Sequence, residues 1–257
     1  MNDSNLDPFI TEIIKIVDKA GEKIMEKYGT DFRVDRKNDS SLVTEADTAA
    51  EQIIINGLHR LTRDIPVVAE EEISRGIVKN ISNGIFWLVD PLDGTKEFVE
   101  NRNEFTVNIA LVKNTVPVLG VVGAPALGTL YVSTQTGVAF KRINQTYKKL
   151  KANRVPRRNA IIVASRSHGN DDKLKQFIQN TTSAEIKIVG SSLKFCMLAE
   201  GSADIYPRFG DTSEWDTAAG DSILRAAGGS VLTLNGENLC YGKEKFLNAD
   251  FIAYGVK

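Results

Sequence analysis

Apolar positions first recur along the chain at helical spacing. Phe9, Ile13, Ile16, Val17, Ala20, Ile24 and Tyr28 fall on one stripe. Asp7-Pro8 supplies an N-cap and a proline at the first helical position, and Gly29 is a stop signal, so a helix is predicted over 8–28. A second helix is predicted to begin at Thr44 and to turn Ala50, Ile53, Ile54, Gly57, Leu58 and Leu61 inward. Thr44-Glu-Ala-Asp47 reads there as a capping box with Asp in the Glu position. Then the period changes. Pro66-Val-Val-Ala69 and Ile85-Phe-Trp-Leu-Val89 are short apolar runs of the buried-strand kind, each ending abruptly in acid.

Downstream, strands are expected over 105–112, 116–122, 129–132 and 138–142. Turn residues (Asn114, Pro125, Gly128, Gly137) separate them, which predicts an antiparallel meander. The polar, basic stretch 144–158 marks the expected boundary between two halves, 1–150 and 151–257. Beyond it strands (160–164, 186–189, 204–206, 230–234) alternate with helices (171–179, 192–200, 216–227). The pattern predicts an α+β half joined to an α/β half.

Composition narrows the function. Of 257 residues, 42% are hydrophobic and 25% charged, with a net charge of -1, which excludes a disordered or fibrous chain. It gives no support to a surface that coats a nucleic acid polymer. An anionic ligand must then be met locally, by a metal or a few placed cations. Cys196 and Cys240 are too few for a disulfide framework and lack metal-ligand spacing. Cys196, within Phe195-Cys-Met-Leu198, reads as a buried inert thiol. The N-terminus shows no signal peptide, and no apolar run approaches the roughly 18 residues of a transmembrane helix. A cytoplasmic protein without a transmembrane segment is expected.

Four acids sit where burial is expected. Glu70 follows the strand that ends at Ala69, Asp90 follows Val89, Asp93 lies three residues further on, and Asp216 follows Trp215. An unpaired carboxylate in an apolar setting is costly, and the neighbours of Asp90 supply no arginine or lysine except Lys96. Hard divalent cations with oxygen ligands resolve the conflict. In Asp90-Pro-Leu-Asp-Gly-Thr95, Pro91 turns the chain, and the Leu92 carbonyl lies between the two carboxylates. Gly94 and Thr95 offer amides to an anion at a helix start, and the Thr95 hydroxyl can orient a water. Each feature has a plainer reading alone: Asp-Pro-x-Asp-Gly is a good turn, Glu70-Glu-Glu72 a solvated face, Asp216 a helix cap. Together they favour a metal-and-phosphate cradle.

Three segments, Val68-Ala-Glu-Glu71, Trp87-Leu-Val-Asp-Pro-Leu-Asp-Gly-Thr95 and Trp215-Asp-Thr-Ala-Ala-Gly220, resemble in order and spacing the signature of the lithium-sensitive, magnesium-dependent inositol monophosphatase superfamily. Further strings resemble its branch of bacterial 3'(2'),5'-bisphosphate nucleotidases: Asp93-Gly-Thr-Lys-Glu-Phe98, Ser165-Arg-Ser-His168, Gly190-Ser-Ser-Leu-Lys-Phe-Cys196, Ala199-Glu-Gly201, Tyr206-Pro-Arg-Phe209 and Phe246-Leu-Asn248. The resemblance implies a layered αβαβα sugar-phosphatase fold and hydrolysis of adenosine 3',5'-bisphosphate to AMP and phosphate. It implies two or three Mg²⁺ ions held by Glu70, Asp90, the Leu92 carbonyl, Asp93 and Asp216, with Asp90 bridging two of them. Asp47 would hold Thr95 so that Thr95 orients the attacking water, with Glu70 completing the catalytic set.

Substrate contacts carried over by the same resemblance are Leu92, Asp93, Gly94, Thr95 and Asp216 at the cleaved phosphate. Ser191, Lys194, Arg208 and His168 would meet the nucleotide, with Lys194 and Arg208 suited to the phosphate that is retained. Ser213 and Glu214, before Trp215, depart from the Ile and Asn of close relatives. The branch is also described as associating with the inner face of the cell membrane, which nothing in this composition supports. A monomer or homodimer acting on a small phosphorylated nucleotide is expected. The competing readings are an inositol monophosphatase, a fructose-1,6-bisphosphatase or NADP phosphatase, and a non-catalytic metal-binding module.

Overall fold

The computed structural model describes residues 7–36, 42–166 and 172–257. Helix α1 (Pro8–Met25) leads into a short hairpin, β1 (Val34–Arg36) and β2 (Leu42–Thr44), and then α2 (Glu45–Leu61). Asp7 caps α1 by accepting the Phe9 amide, and Thr44 caps α2 with the capping box formed. Next come β3 (Val67–Ala69), α3 (Glu70–Ser74), β4 (Ile85–Asp93) and α4 (Thr95–Val99). The meander follows as β5 (Thr106–Lys113), β6 (Val116–Ala124), β7 (Thr129–Ser133), β8 (Ala139–Ile143) and β9 (Thr146–Lys149). The remainder alternates: β10 (Ile161–Ala164), α5 (Asp172–Gln179), β11 (Glu185–Ile188), α6 (Leu193–Ala199), β12 (Ile205–Arg208), α7 (Ala218–Ala226), β13 (Ser230–Thr233) and β14 (Phe251–Tyr254).

Strands β3 to β9 form one seven-stranded sheet in chain order, parallel at β3–β4 and antiparallel from β4 onward. A second sheet has the order β11-β10-β12-β14-β13. Successive side chains on a strand point to opposite faces, and β4 shows both destinations. Trp87 and Val89 join the core beneath α1 and α2, while Phe86 and Leu88 join the core shared with α6, α7 and the second sheet. Both faces of β4 are therefore covered, which is why its sequence runs apolar without alternating. Residues of α5 pack on the outer face of the second sheet against Ala160, Ile162 and Ile205. The layers run helix, sheet, helix, sheet, helix, the αβαβα arrangement expected.

Several elements differ from the expected ones. Strand β4 does not stop at Val89: it continues through Asp90-Pro-Leu-Asp93, with a register shift between Asp90 and Asp93 against β5. Pro91 is accommodated at that irregularity, where the ladder does not require its missing amide. Strands β1 and β2 lack a buried face that apolar periodicity could reveal. Strand β9 lies within the basic stretch 144–158, and only Tyr147 of it is buried. Its exposed lysines suit a sheet edge. Strand β14, in the interior of the second sheet, was also absent from the sequence reading.

Candidate active site

The bulge in β4 sets the stage. Asp90 is buried opposite Asn108 of β5, and its Oδ1 accepts the Leu92 amide at 3.0 Å. Asp93, opposite Thr106, ends the strand. Gly94 then takes a left-handed φ of 90°, and α4 starts at Thr95. A side chain at Gly94 would press on the Glu104 carbonyl at 3.1 Å, so glycine serves both the turn and the close approach. Glu70 opens α3 directly after β3. Asp216 lies two residues before α7; it does not cap that helix, whose N-cap position is Thr217. Instead Asp216 Oδ2 accepts the Ser213 amide at 2.9 Å.

These parts face one space. A cavity of about 630 Å³ is lined by Glu70, Asp90, Leu92, Asp93, Gly94, Thr95 and Asp216, with Arg36, Lys96 and Glu100 also on its wall. Among the described residues no three His, Cys, Asp or Glu side chains stand close enough together to hold one metal ion between them. Burial and repulsion from Asp93 and Glu70 hold the Asp216 carboxyl well above the ordinary range. Asp93 is raised by burial, against the pull of Lys194. Oxygen-only donors that repel one another suit a hard divalent cation, so the donor set fits magnesium in kind.

Asp47 lies beside this cavity and divides its oxygens. Oδ2 accepts the Thr44 amide at 2.8 Å and the Thr44 hydroxyl at 2.6 Å, while Oδ1 lies 3.1 Å from Thr95 Oγ1. Cap and site contact coexist on one carboxylate. Thr95 Oγ1 is also 3.1 Å from the Leu92 carbonyl, and its single proton can serve only one of these acceptors at a time. Burial, with the nearby charge of Glu71, raises the Asp47 pKa to about 6.

A second, smaller cavity of about 160 Å³ adjoins the first and shares Asp93, Gly94, Glu97 and Asp216 with it. Ser191, Lys194, Tyr206, Arg208, Thr212 and Thr217 line its other side. Lys194 is buried. Only 4% exposed, it donates to the Ser191 carbonyl at 2.6 Å and the Val189 carbonyl at 3.2 Å, over the Tyr206 ring. Burial lowers its pKa to about 8. Arg208 is buried too and donates to the Asp211 carbonyl at 2.6 Å. His168 lies outside the described residues.

Some site residues escaped the sequence reading. Glu51, one helical turn after Asp47, is buried and accepts the Glu71 amide at 2.7 Å and the Glu72 amide at 3.3 Å, satisfying the start of α3 behind Glu70. The four-residue spacing from Asp47 on a helix was the available signal. Asn108 and Ser192 hold Asp93: the Ser192 amide donates to its Oδ2 at 2.5 Å, and Asn108 Nδ2 lies 3.4 Å from the same oxygen. No local pattern marks them, since the sheets bring them together. Glu214 is fully buried away from the second cavity and accepts the Gly242 and Lys243 amides at 2.6 and 2.9 Å. Cys196 is buried as expected, and burial pushes its thiol well above the usual range.

Comparison with known proteins agrees with this architecture. The model of the inositol monophosphatase family matches residues 5–254. A 3'(2'),5'-bisphosphate nucleotidase CysQ of Salmonella typhimurium is 44% identical over 245 residues, covering 94% of this chain and 98% of that protein. The protein of the same name in Escherichia coli is 42% identical over the same shares. Among solved structures, CysQ of Bacteroides thetaiotaomicron superposes with a TM-score of 0.79 at 38% identity, covering 96% of each chain. An inositol monophosphatase of Thermotoga maritima superposes at 0.78 with 27% identity, covering 94% of this chain and 89% of that one. With a family match over nearly its whole length and relatives this similar, the chain belongs to the inositol monophosphatase family.

Proposed function

We propose that this chain is a magnesium-dependent phosphomonoesterase that hydrolyses adenosine 3',5'-bisphosphate to AMP and phosphate; relatives are named 3'(2'),5'-bisphosphate nucleotidase. One observation carries the reading: an acidic cavity and a cation-bearing cavity share Asp93, Gly94, Glu97 and Asp216 as a common wall. A substrate with two phosphates needs both environments. Lys194 and Arg208 supply charge for the phosphate that stays, with the guanidinium able to grip two oxygens at once.

Glu70, Asp90, the Leu92 carbonyl, Asp93 and Asp216 would hold two or three Mg²⁺ ions, which when bound supply the charge that acidifies water and neutralises the departing ribose oxygen. Thr95 orients the attacking water. When its hydroxyl proton points to Asp47 Oδ1, the Thr95 oxygen keeps lone pairs free to accept from that water, and the Leu92 carbonyl is released for a cation. An ionised Asp47 is the stronger acceptor for that hydroxyl, and two contacts from Thr44 fix its other oxygen. The amides of Gly94 and Thr95 would bind the oxygens of the transferred phosphoryl group. His168 is placed near the ribose or base by resemblance alone.

The test is phosphate release in magnesium from adenosine 3',5'-bisphosphate, inositol 1-phosphate and fructose 1,6-bisphosphate side by side. The bisphosphate nucleotide is expected to show the highest kcat/KM. Dominant turnover of inositol 1-phosphate would overturn the assignment, and release from none of them would point to a binding module.

A further inference from the structure

The second cavity owes one wall to a short irregular segment, residues 189–192, between β11 and α6. Its backbone is unusual: Ser191 carries a φ of 51°. Gly190 has no room for a side chain, since a Cβ there would lie 2.7 Å from the Glu104 carbonyl oxygen and 2.8 Å from Glu97 Cγ. The segment is thus pressed against the stretch from α4 to β5. Its Gly190 amide donates to Glu104 Oε2 at 2.9 Å, and its Ser192 amide to Asp93. That same Glu104 oxygen accepts Arg166 Nη2 at 2.7 Å, and Arg166 Nε stands 3.8 Å from Glu97 Oε1. Arg166 projects from the end of β10 in the second sheet, whereas Glu97 and Glu104 flank the end of α4 beside the first. One guanidinium bridges two layers at the point where both meet the segment.

We propose that Arg166 is a positioning residue for the second cavity. By hydrogen-bonding Glu104 while its charge stands beside Glu97, it fixes residues 189–192 against the wall shared with the acidic cavity, and so sets affinity for a substrate bearing a second phosphate. The inference rests on the bisphosphate reading for the identity of that ligand. Glu97 is 6% exposed and lines both cavities. Without the guanidinium, Glu97 and Glu104 would repel each other, and Glu97 would repel a phosphate nearby. Glu104 would also lose the partner that orients it toward the Gly190 amide. Lysine would keep the charge but not the fork that reaches two carboxylates at once.

Two variants of the full chain, Arg166→Gln and Arg166→Lys, test this with two readouts. The first is amide hydrogen exchange across residues 189–195 without substrate. The second is kcat and KM, in magnesium, for adenosine 3',5'-bisphosphate and for p-nitrophenyl phosphate, which has no second phosphate. Arg166→Gln is expected to speed exchange at Gly190 and Ser192 by about ten-fold. It should raise KM for the bisphosphate by about ten-fold, more than for the aryl phosphate, with kcat moving less. Arg166→Lys should recover part of the KM. Unchanged exchange at Gly190 and Ser192, or equal losses on both substrates, overturns the proposal. Should Arg166→Gln fail to fold, Arg166→Lys carries both readouts, with smaller changes in the same directions expected. If the unaltered protein releases nothing from the bisphosphate, the substrate assignment falls; exchange alone then decides whether Arg166 holds the segment.

Discussion

Asp47 and Glu51 stand one turn apart on α2, and each accepts backbone amides; Asp47 also contacts Thr95, while Glu51 pairs with Arg75. Thr95→Ala should remove the hydroxyl proposed to orient the attacking water. A fall in kcat of at least about 100-fold is expected, with Thr95→Ser recovering much of it, while magnesium affinity measured by calorimetry changes far less. Glu51 carries a different consequence. Burial, opposed by the Glu71 amide and raised further by the charge of Glu71, moves its pKa from 4.5 to about 7. The native state therefore holds this proton more tightly than the unfolded chain does. The resulting stabilisation is full below pH 4.5 and is lost as pH rises to about 7, on the order of 3 kcal/mol in all. Glu51→Gln cannot titrate, so its Tm should fall less than that of the unaltered protein across this window. Parallel Tm curves would assign the dependence to other groups.

At the scale of elements, the site is an agreement among strand ends and helix starts. Strand β6 packs directly on α7, the helix that follows Asp216: a Cβ at Gly120 would fall on the Ala219 carbonyl oxygen. Backbone cannot swing aside as a side chain can, so Gly120→Ala must push sheet and helix apart. A loss on the order of 1 to 3 kcal/mol is expected, read as a lower Tm, with kcat reduced as Asp216 moves. Helices α1 and α2 were legible because each turns an apolar stripe inward behind a recognisable N-cap. Strands β1, β2 and β9 were not, because they bury little and so leave no periodic trace. The passage of β4 through Pro91 was hidden for another reason. Asp-Pro-x-Asp-Gly favours a turn locally, and only pairing with β5 carries the strand past it.

Across the whole molecule, acids from distant parts of the chain are held around one cavity at a cost that magnesium is expected to offset. Burial and the charges of Asp93 and Glu70 disfavour ionised Asp216. Asp216→Asn should therefore melt higher than the unaltered protein when magnesium is chelated, yet gain less in Tm when magnesium is added, because binding to the native state alone stabilises by mass action. Its hydrolysis should be nearly abolished. An Asp216→Asn protein that melts lower without magnesium and gains the same increment with it would separate Asp216 from the cation site. The second cavity belongs to this scale too, since its lining comes from β4, α4, α6, β12 and the segments before α6 and α7.

The amino-acid sequence alone determined most of the element order, an α+β half followed by an α/β half, and singled out the acids that line the first cavity, because apolar periodicity and the chemistry of short motifs are local properties; the layered stacking of those elements was implied by family resemblance, not by periodicity. Glu70, Asp90, Asp93 and Asp216 stood out by their position beside apolar runs. Tertiary structure decided what those acids lean on. Ser192 lies 99 residues from Asp93 in sequence and Arg166 lies 62 from Glu104, yet both pairs are hydrogen-bonded. A buried polar group is satisfied by whichever partner the packing of layers delivers, and the chain carries no local sign of that partner.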